Sequence, residues 1–213
     1  MPDTLKVAIS QGKHVTALFY GASKSPRIGI TLLLGHGAGG NQNSGFMVQF
    51  AGGLAARGLD VVTFNFLYSE ERRKVPDRTE ALEECYRAAI KTIRQTPQLK
   101  RNRWAIGGKS LGGRIASQVA AAGDEFVAGL SALVFLGYPL HPPGKPDQLR
   151  SRHLEKIKAP MLFVQGSRDS FGTPDELRLI IEGLGTSAKM YVVEGGDHSL
   201  NVSKKSPLSQ EQV

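Results

Sequence analysis

Short apolar runs alternate along this sequence with longer segments whose apolar residues recur at three- and four-residue spacing. The runs read as buried strands and the spaced segments as amphipathic helices. Strands are predicted near Leu5–Ser10, Val15–Tyr20, Ile28–Leu34, Val61–Phe66, Trp104–Gly107, Ala132–Leu136, Met161–Gln165 and Met190–Val193. Helices are predicted over Phe46–Arg57, Arg78–Gln95, Leu111–Ala122, Gln148–Ile157 and Pro174–Gly183, with Gly58 stopping the first and Thr173-Pro174 starting the last. Eight strands interleaved with helices predict an α/β fold: a mostly parallel eight-stranded sheet with helices on both faces. No internal repeat, linker or low-complexity tract divides the chain, so residues 1–213 read as a single domain with a polar tail from about residue 203.

The link between the Leu136 strand and the Gln148 helix is Gly137-Tyr-Pro-Leu-His-Pro-Pro-Gly-Lys-Pro146. It leaves no room for a helical lid, and its prolines make it a stiff wall. At 213 residues, with 40% hydrophobic and 22% charged content, the composition is that of a globular domain with a sizeable core. The longest apolar run, Leu130 to Leu140, is broken by Gly137 and Pro139 and is too short to span a bilayer; the N-terminus carries no basic-then-apolar signal segment. The expectation is a soluble, cytoplasmic protein with no membrane partner. Cys85 lies at helical spacing among Leu82, Tyr86, Ala89, Ile90 and Ile93, which makes it a packing residue.

A net charge of +8 raises the local concentration of anions and so invites a nucleic-acid reading. The charges are dispersed, however. Arg72, Arg73, Lys74 and Arg78 alternate with Glu70, Glu71 and Asp77, aromatic residues are few, and zinc-finger spacing is absent. No nucleic-acid partner is expected.

Candidate chemistry begins at Gly108-Lys-Ser-Leu-Gly112, a G-x-S-x-G frame between a predicted strand and a predicted helix. That is the sequence form of a nucleophile elbow, where a serine sits on a strained turn and its neighbours must be small. A phosphate-binding P-loop would need glycine where Arg103 stands. A serine hydroxyl needs a base within reach and a group that orients the base. Of the five histidines, His14 lies in an early strand, His141 in the Pro-rich loop and His153 on a predicted surface helix. His198 follows the last strand in Val193-Glu-Gly-Gly-Asp-His198, on the sheet edge where open α/β folds bind ligands. Asp169 leaves the end of another strand and suits the orienting acid; Asp197, adjacent to His198, would need a contorted backbone. The chain order Ser110, Asp169, His198 goes with this kind of elbow. Oxyanion donors are expected from the amides of Leu111 and Ala38, with Gly39 the alternative. The Gly35-His-Gly-Ala-Gly-Gly40 loop also satisfies G-x-G-x-x-G, but a dinucleotide site wants an acid at the end of the following strand. That strand ends in Asn65 and Phe66, with Asp60 at its opposite end, so no such cofactor is expected.

With these segments placed, the chain resembles the α/β-hydrolase superfamily over essentially its whole length, and within it the small dienelactone-hydrolase-like group related to testis-expressed protein homologues. The resemblance rests on His36-Gly-Ala-Gly39, Gly107-Gly-Lys-Ser-Leu-Gly-Gly-Arg114, Leu136-Gly-Tyr-Pro-Leu-His-Pro-Pro-Gly-Lys145, Gln165-Gly-Ser-Arg-Asp169 and Gly195-Gly-Asp-His198. It implies Ser110 as nucleophile, His198 as base and Asp169 as acid, and it makes the Tyr138 to Lys145 loop a pocket wall. His36, Gly37, Gly39, Tyr138 and His141 are thus expected to line the substrate site. Dienelactone hydrolases proper use cysteine where this chain has Ser110, so lactone hydrolysis of that type is not implied. After His198 the sequence continues with Ser203-Lys-Lys-Ser-Pro207 and a polar tail, where hydrolases of this fold often carry a further packed helix.

The expected activity is that of a serine hydrolase of carboxylesterase type, acting on a small acyl substrate through an acyl-enzyme, with no metal or organic cofactor. Arg72, Arg73, Lys145 and Arg168 give a weak bias toward anionic substrates, opposed by Glu70, Glu71 and Asp147. The alternative is an interaction module that keeps the fold with little or no catalysis, since fold does not dictate function. Oligomeric state leaves no signal in the sequence.

Overall fold

The structure, a computed structural model, describes residues 1–184 and 188–202. Its strands are β1 (Asp3–Ala8), β2 (His14–Tyr20), β3 (Ile30–Gly35), β4 (Asp60–Phe64), β5 (Arg103–Lys109), β6 (Ala132–Leu136), β7 (Met161–Gly166) and β8 (Ala188–Val193). Its helices are α1 (Gly45–Ala55), α2 (Leu67–Glu70), α3 (Thr79–Gln95), α4 (Leu111–Ala122) and α5 (Pro174–Glu182). The strands form one sheet in the order β1-β2-β4-β3-β5-β6-β7-β8. β2 pairs antiparallel with both β1 and β4, and every other pair is parallel. The central strands β3, β4 and β5 are buried almost throughout because helices cover both faces, which is why their sequences read as unbroken apolar runs.

One face packs Leu33, Val62 and Ile106 against α3 and α4; the other packs Leu32, Leu34, Val61 and Ala105 against Met47 and Ala51 of α1. In α3 the buried residues are Leu82, Cys85, Tyr86, Ala89, Ile90 and Ile93, the face expected from their spacing. α5 starts with a capping box between Thr173 and Glu176, with Pro174 in the first turn.

Two helical expectations change. The predicted helix over Gln148–Ile157 is only a 3-10 turn at Arg152–Lys156. Its would-be first turn is held by tertiary bonds instead: the Arg150 amide donates to the Leu140 carbonyl at 2.8 Å, and the Arg150 carbonyl accepts from the Tyr138 hydroxyl at 2.9 Å. Between β6 and β7, therefore, no lid helix forms. Conversely, α2 was not predicted, being too short to show a period; it forms where the Tyr68 amide donates to the Asp77 carboxylate at 3.0 Å. The expected polar tail from residue 203, with the question of a further helix there, lies outside the described residues. Among the described residues no helix is long and apolar enough to cross a membrane.

Candidate active site

The sheet's parallel strands all end on one rim, and the loops leaving β3, β5, β6, β7 and β8 meet there. The crossing of β3, β5 and α4 beneath this rim is too tight for side chains. A Cβ on Gly108 would come within 2.3 Å of the Gly35 carbonyl oxygen, and one on Gly112 within 2.1 Å of the same atom. Tyr86 secures the crossing from α3: its hydroxyl donates to the Gly107 carbonyl at 2.6 Å and accepts from the Gly107 amide at 3.0 Å. Between the two glycines Ser110 adopts φ 49° and ψ −111°, a conformation that costs an L-residue on the order of 1–3 kcal/mol and persists only where the surroundings enforce it. The turn lifts the hydroxyl off the sheet onto the rim.

Three side chains from three loops then form one hydrogen-bonded chain. The Ser110 hydroxyl lies 2.8 Å from His198 Nε2. On the other side of the ring, His198 Nδ1 donates to Asp169, 2.8 Å from Oδ2 and 2.9 Å from Oδ1. The Asp169 side chain is fully sealed while that of His198 is 19% exposed, so the acid is shielded and the ring still meets solvent. Because Nδ1 carries the proton that Asp169 accepts, Nε2 is left with its lone pair toward the serine.

Donors for a developing negative charge flank Ser110. Leu111 opens α4, where the first amides have no carbonyl one turn earlier to bind. The Gly37–Gly40 turn, closed by the Gly40 amide on the Gly37 carbonyl at 3.1 Å, carries Ala38 past the elbow. A Cβ on Gly37 would lie 3.8 Å from that of Ser110, so this turn is packed directly on the serine.

Residues 29–213 match the alpha/beta hydrolase domain family. The chain belongs to this family. Among solved structures it resembles the dienelactone hydrolase of Anabaena variabilis, with 21% identity over 94% of this chain and 89% of that one and a TM-score of 0.74. It also resembles a lidless α/β serine hydrolase from Xanthomonas campestris (18% identity, 93% and 86% of the two chains, TM-score 0.72). A third is the Butyrivibrio proteoclasticus protein Est1E, whose structure holds ferulic acid (14% identity, 92% of each chain, TM-score 0.74). At such identities the likeness is one of fold.

In this alpha/beta hydrolase domain, several residues expected at the pocket lie beneath it. His36 is fully buried; its Nε2 accepts from the Phe66 amide at 3.2 Å and its Nδ1 lies 2.8 Å from the Gly37 carbonyl. Burial pushes its pKa down to about 4, so it stays neutral and ties the ends of β3 and β4 together instead of meeting substrate. Tyr138 is also fully buried, its ring against Phe135 and Phe163, so it supports the loop from inside and is not a pocket wall. His141 is buried as well, with Nδ1 2.8 Å from the Pro142 carbonyl and Nε2 3.3 Å from Glu176. Apolar packing and main-chain bonds win over exposure in all three, because the Pro-rich segment and the β3 loop fold back onto the core. Gly37 and Gly39 remain on the turn beside Ser110. His153, expected on a surface helix, is instead half-buried with Nε2 2.7 Å from Ser117 Oγ.

The charge bias also weakens. Arg73 pairs with Glu71 at 2.8 Å and Asp77 at 2.7 Å, and Arg168 donates to the Gly195 carbonyl at 2.9 and 2.6 Å. Glu70 is occupied by the Thr16 amide and hydroxyl and by Asn65. Clefts of about 400 and 280 Å³ lie at the opposite end of the sheet, around Arg94, Asn102 and Trp104 and around Val127 and Ile157, away from Ser110. Among the described residues no three His, Cys, Asp or Glu side chains converge as a metal site requires.

Two supporting residues escaped sequence reasoning. Gln165 donates to Asp169 Oδ2 and to the Gly172 carbonyl, both at 2.8 Å, and accepts from the Tyr138 amide at 2.8 Å. A polar residue at the end of a buried strand was the available signal. Phe171 stacks on the His198 ring with centroids 4.0 Å apart, a contact with no mark in the sequence.

Proposed function

We propose that this chain is a serine hydrolase that cleaves an ester or related acyl bond through an acyl-enzyme. The observation that carries the reading is the chain of hydrogen bonds from Ser110 through His198 to Asp169, 2.8 Å at each of its two closest links, on a strained turn facing a partly open rim. Membership of the alpha/beta hydrolase domain family and the lidless serine-hydrolase neighbour support it. We further assign the chain to the dienelactone-hydrolase-like group related to testis-expressed proteins, a reading supported by the motifs it shares with that group and by the fold it shares with a dienelactone hydrolase.

In this mechanism the Ser110 hydroxyl attacks the substrate carbonyl as its proton moves to His198 Nε2. Asp169 holds Nδ1–H and stabilises the imidazolium that forms. The tetrahedral oxyanion is met by the amides of Leu111 and Ala38, which are fixed before the reaction and need no reorganisation. His198 then gives its proton to the leaving group, the acyl group stays on Ser110, and water activated by the same imidazole releases the acid. With no lid helix between β6 and β7, small or protruding acyl groups suit the rim.

The test is labelling with a fluorophosphonate probe and turnover of short-chain aryl esters by the wild type, Ser110→Ala and His198→Ala. Labelling that needs both side chains, with ester turnover to match, is the expected result. Folded wild-type protein that takes up no probe would favour the interaction-module reading instead.

A further inference from the structure

Lys109 stands immediately before Ser110, and the mechanism above gives it no step. The residue is only 8% exposed, unusual for a lysine, whose ammonium gives up water when buried and needs partners in exchange. Its Nζ donates to the main-chain carbonyl of His198. The same nitrogen lies 5.5 Å from the centroid of the Phe46 ring. Gly137, at φ +66°, lets the groups converge: a Cβ there would come within 2.7 Å of the His198 carbonyl oxygen, 3.0 Å of Lys109 Nζ and 3.5 Å of Asp169 Oδ2. Nearer the backbone, a Cβ on Gly37 would lie 3.4 Å from Lys109 Cγ. One side chain therefore runs from the elbow past the β3 loop and the β6 turn to the loop that carries His198.

We propose that Lys109 is a positioning residue, whose protonated ammonium ties the His198 main chain to the elbow and so holds the imidazole between Ser110 and Asp169. This rests on Ser110 and His198 acting as nucleophile and base. The bond is made to the carbonyl of the same residue that supplies the base, in a loop otherwise held at Gly195 by Ser167 and Arg168 and at Asp197 by the Ser199 and Asn201 amides. A charged donor in a sheltered site makes a stronger bond than a neutral one. Without it, a displacement of about 1 Å at the imidazole is enough to cost roughly 100-fold in rate.

The charge is conditional on pH. The titratable groups facing Lys109 are Asp169 from the loop after β7 and Asp197 and His198 from the loop after β8; α1 presents the Phe46 ring, and the Gly37 and Gly137 segments present backbone. Burial pushes the Lys109 pKa down to about 8, against the pull of Asp169 and Asp197. Above that pH the bond to His198 is made by a neutral amine, and the tether loosens.

The experiment measures the rate of fluorophosphonate labelling of the full chain from pH 6.5 to 10 for the wild type, Lys109→Met and Lys109→Arg, with aryl-ester kinetics at pH 7. The wild-type rate is expected to fall as pH rises through about 8. Lys109→Met should label roughly 10- to 100-fold more slowly at pH 7, with that alkaline limb gone and the loss in kcat rather than KM. Lys109→Arg, charged across the whole range, should recover part of the rate and also lack the limb. A wild-type rate that stays level from pH 7 to 10, or Lys109→Met labelled as fast as wild type, overturns the proposal; the first of these needs no variant to fold. Absence of Ser110-dependent labelling at every pH is a different outcome, which sinks the nucleophile reading itself.

Discussion

Helix α4 brings two serines within hydrogen-bonding distance of a histidine: Ser110 at its N-terminus, 2.8 Å from His198, and Ser117 about two turns further on, 2.7 Å from His153. The distances match, and the surroundings oppose each other. Ser117 is fully buried in regular helix, and its hydroxyl donates to the Arg114 carbonyl at 2.7 Å, the ordinary back-bond of a helical serine. His153 is held neutral by burial and then by the cations Arg114 and Lys156, which together push its pKa down to about 4. Ser110 sits on a strained turn at the rim, and His198 has a sealed carboxylate behind it. A base that must accept a proton needs negative charge at its back; His153 faces positive charge. The comparison locates the candidate chemistry in the field and the backbone around a pair, with the Ser–His distance a minor part of it.

The strongest way to break this contrast is to remove each hydroxyl in turn. Ser110→Ala should lower kcat for an aryl ester by up to about a millionfold, the loss found when a triad nucleophile is removed. Ser117→Ala should leave kcat within a few-fold and cost about 1 kcal/mol of stability for its lost hydrogen bond. Steady-state kinetics beside urea unfolding separates the two, and a comparable loss of activity in both variants would dissolve the distinction.

Next in size is the carboxylate. Asp169→Asn keeps the shape but offers an amide where His198 Nδ1–H needs an acceptor, which favours the wrong tautomer. The expected loss is about 10,000-fold in kcat with KM little changed. If the variant keeps most of its activity, the charge behind His198 is not what distinguishes it from His153.

These residues were legible in the sequence because each sits at the end of a strand whose apolar run is easy to read, and because Gly108 and Gly112 mark a crossing that only small residues fit. The strand set and the α3 face were legible for the same reason: burial of a regular element imposes a period. What stayed hidden depends on contacts between distant segments. Lys109 looked like an ordinary lysine in a motif, yet it is enclosed by the loops of Gly37, Gly137 and His198, none of them near it in sequence. His36, Tyr138 and His141 are expected at the pocket from the family resemblance of their motifs, which carries no information on side-chain direction, and their side chains turn into the core. The helix expected over Gln148–Ile157 is overridden by the bonds of Arg150 to Leu140 and Tyr138.

A smaller effect is expected from Phe171, which stacks on His198 with an interplanar angle of 25°. An aromatic contact of this kind is worth about 0.5–1.5 kcal/mol, so Phe171→Ala should lower kcat/KM by up to roughly tenfold. Full activity in this variant would mean that hydrogen bonds alone orient the ring.

The smallest effect concerns the second pair and reads out in stability, not in rate. Both His36 and His153 titrate near pH 4 in the folded chain, chiefly because burial disfavours the charged ring. An unfolded histidine titrates near 6.5, so below that pH the unfolded chain binds protons that the folded chain does not yet accept. Stability from these two groups is fully present above about pH 6.5 and is lost progressively as pH falls toward 4. His153→Gln can still reach Ser117 and carries no proton to gain, so its urea midpoint should fall less between pH 7 and pH 5 than that of the wild type, while labelling of Ser110 at pH 7 stays normal. Equal acid sensitivity in the two proteins would mean that His153 charges as readily as an exposed ring, and that its cationic neighbours do not set it apart from His198.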